Sequence, residues 1–263
     1  MARPARSRLP PPYLKRVTLL PERVEDWSRH PFDLPLFAGR QFDLSFSSPV
    51  TVIVGENGVG KSTLLEAIAG QIGFAMESGT RNFLSQEPPP PLSRCLRLAW
   101  LPRVTRGFFL RAESYFNFIS QMDELDRDPA PVPRIVEAYG GRSLHTRSHG
   151  EAFLALFEQR FAGGQGIYIL DEPEAALSPQ RQIRFLNILR RMEDDGRAQI
   201  IIASHAPLII GYPGADLLIM EPDGIRRGRP EDTSHWRVVR DYFADPDGFM
   251  RAAVETADGT PTT

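Results

Sequence analysis

One stretch of this 263-residue chain, Gly55 to Thr63 (GENGVGKST), constrains its fold more than any other. It follows Val50 to Val54 (VTVIV), a β-branched run that reads as a buried strand, and precedes Leu64 to Ala69 (LLEAIA), whose apolar spacing reads as a helix. Strand, glycine turn and helix in that order wrap successive backbone N–H groups around a phosphate. Gly55, Gly58 and Gly60 permit conformations closed to residues with a β-carbon. The helix start adds unpaired N–H groups and a favourable dipole. Lys61 is expected to reach β- and γ-phosphates, Ser62 to ligate Mg²⁺ and Thr63 to make a supporting contact. Composition strengthens the reading of Lys61. Of 31 Lys plus Arg only Lys15 and Lys61 are lysines, so a chain that otherwise uses arginine keeps a compact ammonium at this place. The plainer alternative is a glycine-rich turn with a chance lysine.

A second nucleotide feature is Ile167 to Leu170 (IYIL), four apolar residues ending in Asp171 and Glu172. The pattern describes a central strand that delivers two carboxylates to the sheet edge where ligands of open α/β sheets collect. Asp171 would hold Mg²⁺, directly or through water, and Glu172 would polarise the attacking water. If Asp171 merely capped the next helix, Glu172 would have no role. Two further stretches follow the same logic of order: Ser148 to Glu151 (SHGE) and Ile200 to His205 (IIIASH).

Together these four stretches resemble the ATP-binding-cassette type ATPases. Within that superfamily they look like the stand-alone "predicted AAA-family ATPases", relatives of the structural-maintenance-of-chromosomes and RecF-like proteins. The match spans about Val50 to Met220. Glu151 to Asp171 is 20 positions and Asp171 to His205 is 34, both similar to the family's intervals. The resemblance implies an α/β fold, a mixed sheet flanked by helices with a helical signature lobe. It also implies Mg²⁺-dependent ATP hydrolysis. Gly55, Asn57, Gly58, Val59, Gly60, Lys61, Ser62 and Thr63 would contact ATP. Two copies would pack head to tail, so that Ser148 and the amides near Gly150 cap the γ-phosphate of the partner's ATP. The helix beginning near Glu151 would aid this with its dipole. Its residues Phe153, Leu156, Phe157 and Phe161 read as one apolar face.

His205 would be the switch histidine near the γ-phosphate, so the catalytic set is Lys61, Glu172 and His205. Ala175 to Ser178 sits where the family's D-loop follows the carboxylate. His149 stands for a signature glycine and Ser178 for a D-loop aspartate, two departures from the pattern. For the Mg²⁺-sensing Q-loop the choice is Glu113, the polar end of a strand read over Gly107 to Glu113, with Gln86 as runner-up. An adenine-stacking aromatic is sought among Trp27, Phe32 and Phe37, with Trp27 preferred.

The expected organisation is a single domain: a nucleotide-binding lobe of about 1–113 and 160–230, a helical lobe of about 114–160 and terminal helices over 231–256. Pro246 should break the latter in two, and Glu255 to Thr263 reads as a frayed tail. No long heptad run or internal repeat is present. The single cysteine, Cys95, excludes a zinc hook and suits a reducing cytoplasm. No apolar run approaches a membrane span, and Met1 to Pro12 reads as a solvated arm.

The net charge of −2 gives no global case for nucleic acid. Arg94, Arg97, Arg103, Arg106 and Arg111, with Arg226, Arg227 and Arg229, could form a phosphate-facing strip, although solvated surface charge is the plainer reading. Three roles therefore compete: an ATPase whose ATP-driven dimerisation does mechanical or regulatory work, a transporter's nucleotide-binding subunit, and a DNA-associated ATPase of repair or phage defence. A GTPase is disfavoured because no Asn-Lys-x-Asp motif occurs.

Overall fold

The fold is that of a computed structural model, which describes residues 9–74, 89–112, 149–160 and 165–257. Its centre is a six-stranded sheet of β3 (Val50–Val54), β5 (Gly107–Arg111), β6 (Gly166–Asp171), β7 (Ala198–Ala203), β8 (Asp216–Glu221) and β9 (Gly224–Arg227), in the order β5-β6-β7-β3-β8-β9. The first five are parallel and β9 returns antiparallel to β8, so the sheet is mixed, as expected. Strands β3, β6 and β7 are buried at every residue. Such fully buried, mostly apolar runs suit strands covered on both faces.

Alternation along each strand sorts its side chains between two cores. Val52, Val54, Tyr168, Leu170, Ile200 and Ile202 meet α3 (His149–Arg160) and α4 (Pro179–Asp195) through Phe153, Phe157, Phe185 and Leu189. Ile53, Ile167, Ile169 and Ile201 instead meet Leu64, Leu65 and Ile68 of α1 (Lys61–Ile72). That second core continues into a three-stranded antiparallel sheet, β2-β1-β4, of β1 (Leu14–Leu19), β2 (Asp43–Ser45) and β4 (Leu96–Trp100), the last preceded by the short α2 (Pro91–Cys95).

A buried amide pins the two sheets together. Gln199 Oε1 accepts the N–H groups of Tyr13 at 2.8 Å and Leu14 at 2.7 Å, while its Nε2 donates to the Leu14 carbonyl. Its hydrogen-bonding capacity thus serves a strand end that would otherwise bury unpaired N–H groups.

Beyond β7 come α5 (Pro207–Ile210), β8, β9 and the terminal pair α6 (Ser234–Ala244) and α7 (Pro246–Ala257). The break at Pro246 stands where the sequence placed it. Of the expected tail, Glu255, Thr256 and Ala257 continue α7, because they carry no helix breaker after Pro246 has started the turn. Tyr242 of α6 packs edge-on against Phe249 of α7 at 5.8 Å. Among the described residues no helix is long and apolar enough to cross a membrane.

Candidate nucleotide site

Three strand ends converge to make the site. After β3 the chain turns through the glycine segment, with Gly58 and Gly60 at φ +81 and +103. Only a residue without a β-carbon takes these values freely. Gly55 is required for another reason: a β-carbon there would lie 2.4 Å from the Met220 carbonyl oxygen of the neighbouring β8. Asn57 and Gly58 are exposed, Val59 and Thr63 half-buried, and Gly60 occupies the N-cap of α1. The nearly buried Lys61 curls over this turn and donates from Nζ to the carbonyls of Gly55 at 2.8 Å and Glu56 at 2.9 Å. Burial holds its pKa below the ordinary lysine value, while the carboxylates of Glu172, Asp171, Glu56 and Glu174 oppose that shift.

β6 ends in Asp171, whose Oδ1 accepts from the Ser62 hydroxyl at 3.2 Å. The phosphate turn and the carboxylate strand, 109 positions apart, therefore meet. Asp171 is 2% exposed, and burial pushes its pKa up to about 6 against the pull of the Ser62 hydrogen bond and the Arg111 guanidinium. Arg111, paired in register with Asp171, lies 3.5 Å from Oδ2 and 2.6 Å from Glu66 of α1. Three arginines of the possible phosphate-facing strip are instead paired with carboxylates. Arg111 turns into the site, Arg226 pairs with Glu221 and Arg227 with Asp216, because nearby carboxylates hold each guanidinium better than an open surface does.

Glu172 follows with φ +49 and ψ +52, left-handed backbone that side-chain-bearing residues rarely adopt. Its N–H is held by the Ala203 carbonyl at 3.0 Å, and the kink swings the side chain to within 3.5 Å of His205 Nε2. Strain of this kind costs about 1–3 kcal/mol and collects at functional positions.

The exit of β7 is bound to the exit of β6 by Glu174. One oxygen, Oε1, accepts from His205 N at 2.6 Å, Ser204 Oγ at 2.9 Å and Ala206 N at 3.2 Å. The Ser204 N–H donates in turn to Ile53 of β3. Burial raises the Glu174 pKa despite these three donors, and Oε2 has no hydrogen-bond partner among the described residues. On its other side His205 meets a residue from far along the chain: Nδ1 lies 2.7 Å from His235 Nε2 on α6. Ser234, beside it, donates to Glu56 in the phosphate turn at 2.8 Å.

The structure thus brings Lys61, Ser62, Asp171, Glu172 and His205 together. Gly150 is buried in the first turn of α3, where a β-carbon would come 2.5 Å from Arg181 and 3.0 Å from the Ala176 carbonyl. Phe153 and Phe157 of that helix are fully buried. Ser148, Glu113, Gln86 and Phe161 lie outside the described residues. Of the three aromatics considered for adenine, Phe32 and Phe37 are core, and half-buried Trp27 packs edge-on against Phe32 with Arg40 over its ring.

Sequence reasoning missed Glu66, Glu174, Ser234 and His235. Glu174 had a signal, being the third acidic residue of the DEPE run. His235 had none, since a histidine near a helix start looks like any other.

Asp171 and Ser62 suit a hard divalent cation. A carboxylate costly to ionise in its own burial, beside a hydroxyl, is a donor pair that a divalent cation would stabilise.

Two family models match parts of the chain. One, described as "AAA domain", covers residues 33–82. The other, described as "AAA domain, putative AbiEii toxin, Type IV TA system", covers 151–211. The chain is 30% identical over 258 residues to the hemin import ATP-binding protein HmuV of Burkholderia cenocepacia, spanning 83% of this chain and 91% of that protein. It is 24% identical over 217 residues to the zinc import ATP-binding protein ZnuC of Paracoccus denitrificans, 81% of each. The SMC head domain from Thermotoga maritima aligns at 18% identity and a TM-score of 0.44 over 82% of this chain and 98% of that one, too loosely to carry an argument.

Proposed function

The chain belongs to the ATP-binding-cassette type P-loop ATPases, and from that premise we propose that it hydrolyses ATP with Mg²⁺ at a seam between two copies of itself. The Ser62–Asp171 contact carries the Mg²⁺-ATP part of this reading, because it joins the phosphate turn to the carboxylate strand at one point, and the seam rests on the family resemblance. Ser62 and Asp171 would hold Mg²⁺, with Glu113, next in sequence after β5 and Ala112, as the sensing residue. When bound, the metal neutralises charge on the β- and γ-phosphates.

The backbone of Gly55 to Thr63 cradles the phosphates, and Lys61 exchanges its carbonyl partners for phosphate oxygens. Glu172, about two-fifths exposed, accepts the proton of the attacking water. His205 donates from Nε2 to the γ-phosphate as charge builds there. Ser148 and the Gly150 amide of a second copy close the site. The helical lobe of about 114–160, the nucleotide-binding lobe and the terminal helices work as one unit in a reducing, cytoplasmic setting.

The test is size exclusion of Glu172→Gln with ATP and Mg²⁺. A dimer that forms with ATP and disperses on EDTA supports the seam, and a monomer under all conditions removes it. Turnover compared with and without DNA, RNA and co-purified proteins identifies what the cycle drives.

A further inference from the structure

His205 does not stand alone. Its Nδ1 is 2.7 Å from Nε2 of His235, with the ring centres 4.9 Å apart and the planes inclined by 46°. At that distance one nitrogen must carry the shared proton and the other must accept it. Which does so follows from the opposite side of the His205 ring. There Nε2 is buried, has no hydrogen-bond partner among the described residues, and its nearest carboxylate oxygen is Glu172 Oε1 at 3.5 Å. An unprotonated Nε2 would aim its lone pair at that carboxylate, whereas Nε2–H is attracted to it. The Glu172 carboxylate favours the tautomer with the proton on Nε2 of His205, Nδ1 as acceptor and His235 as the Nε2–H donor, against the Lys61 ammonium and a Ser234 hydroxyl 3.5 Å from His235 Nδ1.

The donor is held from two directions. Thr233 caps α6 by accepting the Trp236 N–H at 3.2 Å, and the Trp236 ring lies against Gly211, where a β-carbon would come 2.9 Å from Cζ3. Ser234 ties the same turn to Glu56. Burial, as the largest cause, holds both rings below the ordinary histidine pKa, so each keeps a single N–H at neutral pH.

We propose that His235 is the positioning residue of the hydrolytic site, fixing His205 in the tautomer whose Nε2–H faces Glu172 and the γ-phosphate. This rests on the reading of His205 as the switch histidine. An orienting partner behind a working imidazole is worth a large factor elsewhere, typically 10–100-fold behind metal-bound histidines. Here it reaches the site from a helix that contributes no other residue to the chemistry.

The test uses the full-length protein with Mg-ATP. His235→Phe keeps the ring volume and removes the donor, and should lower kcat about 10- to 100-fold while KM for ATP stays within about twofold. His235→Gln places an amide N–H near the same point and should recover most of the loss. In a His205→Ala background His235→Phe should add nothing, since the two act as one unit. An equal further loss in that background, or no loss in the single variant, overturns the proposal. If His205→Ala itself turns over like the wild type, the switch reading fails instead. Independently of turnover, ¹⁵N-edited NMR of the histidine rings should show Nε2–H on His205, lost in His235→Phe. A wild-type His205 protonated on Nδ1 sinks the proposal whatever the kinetics show.

Discussion

The carboxyl edge of the sheet and the terminal helix α6 both place side chains on the same histidine, yet they are built in opposite ways. Strands β3, β6 and β7 are buried at every residue, and the loops leaving them are tied together by Glu174, Ser204 and the Glu172 backbone. Helix α6 has no buried residue, and Phe243 is 75% exposed. It reaches the site only through its first turn. Precision in the first region comes from packing, so chemistry-bearing residues follow their strands in the chain as motifs. In the second it comes from a few hydrogen bonds between distant segments, which leave no local pattern.

That contrast can be attacked at both ends. The largest effect belongs to Glu172, the proton acceptor of the packed edge. Glu172→Gln should cut ATP turnover about 10²- to 10⁴-fold with ATP affinity retained, measured by phosphate release and calorimetry. Lys61→Ala comes next. Removing a buried, hydrogen-bonded cation from its anionic partners costs about 2–5 kcal/mol, so ATP affinity should fall at least ~30-fold, and unchanged binding would take Lys61 out of the site.

Asp171→Asn sharpens the comparison from the side of stability. Its folded pKa of about 6 lies above the unfolded value near 3.8, so the folded state binds the extra proton and stability falls as pH rises through that window. Ionised Asp171 thus destabilises the metal-free protein at pH 7 by on the order of 3 kcal/mol. In EDTA, Asp171→Asn should raise Tm by several degrees at pH 7.5, and the gain should vanish below about pH 4. A Tm gain that does not change with pH would mean the carboxylate is not the cause. Smallest of all is Phe243→Ser on the outer face of α6, which should shift stability by less than about 0.5 kcal/mol in urea denaturation. A larger loss would show that α6 is held by more than its first turn.

Much of the packed edge was legible in the sequence. The β-branched run at Val50, the glycine spacing and the apolar strand ending at Asp171 each follow from local chemistry, while the ABC-type fold came from the resemblance of the four motifs to that family. Arg111 was misjudged as surface charge because its partners Glu66 and Asp171 are 45 and 60 positions away, the first brought to it by the packing of α1 and the second by strand register. Trp27 was preferred for adenine by residue type alone, and its setting against Phe32 and Arg40 depends on a loop with no periodicity. His235 was invisible for the same reason: its meaning is the ring across from it.

The backbone at Glu172 has a bearing on any attempt to harden this enzyme. A glycine would sit at φ +49 without strain, and an asparagine at the preceding residue would shed a costly buried charge. A laboratory screen that rewards only survival of heat would therefore drift toward both replacements and return sturdy, inert variants. Selection here has to watch turnover and melting at once.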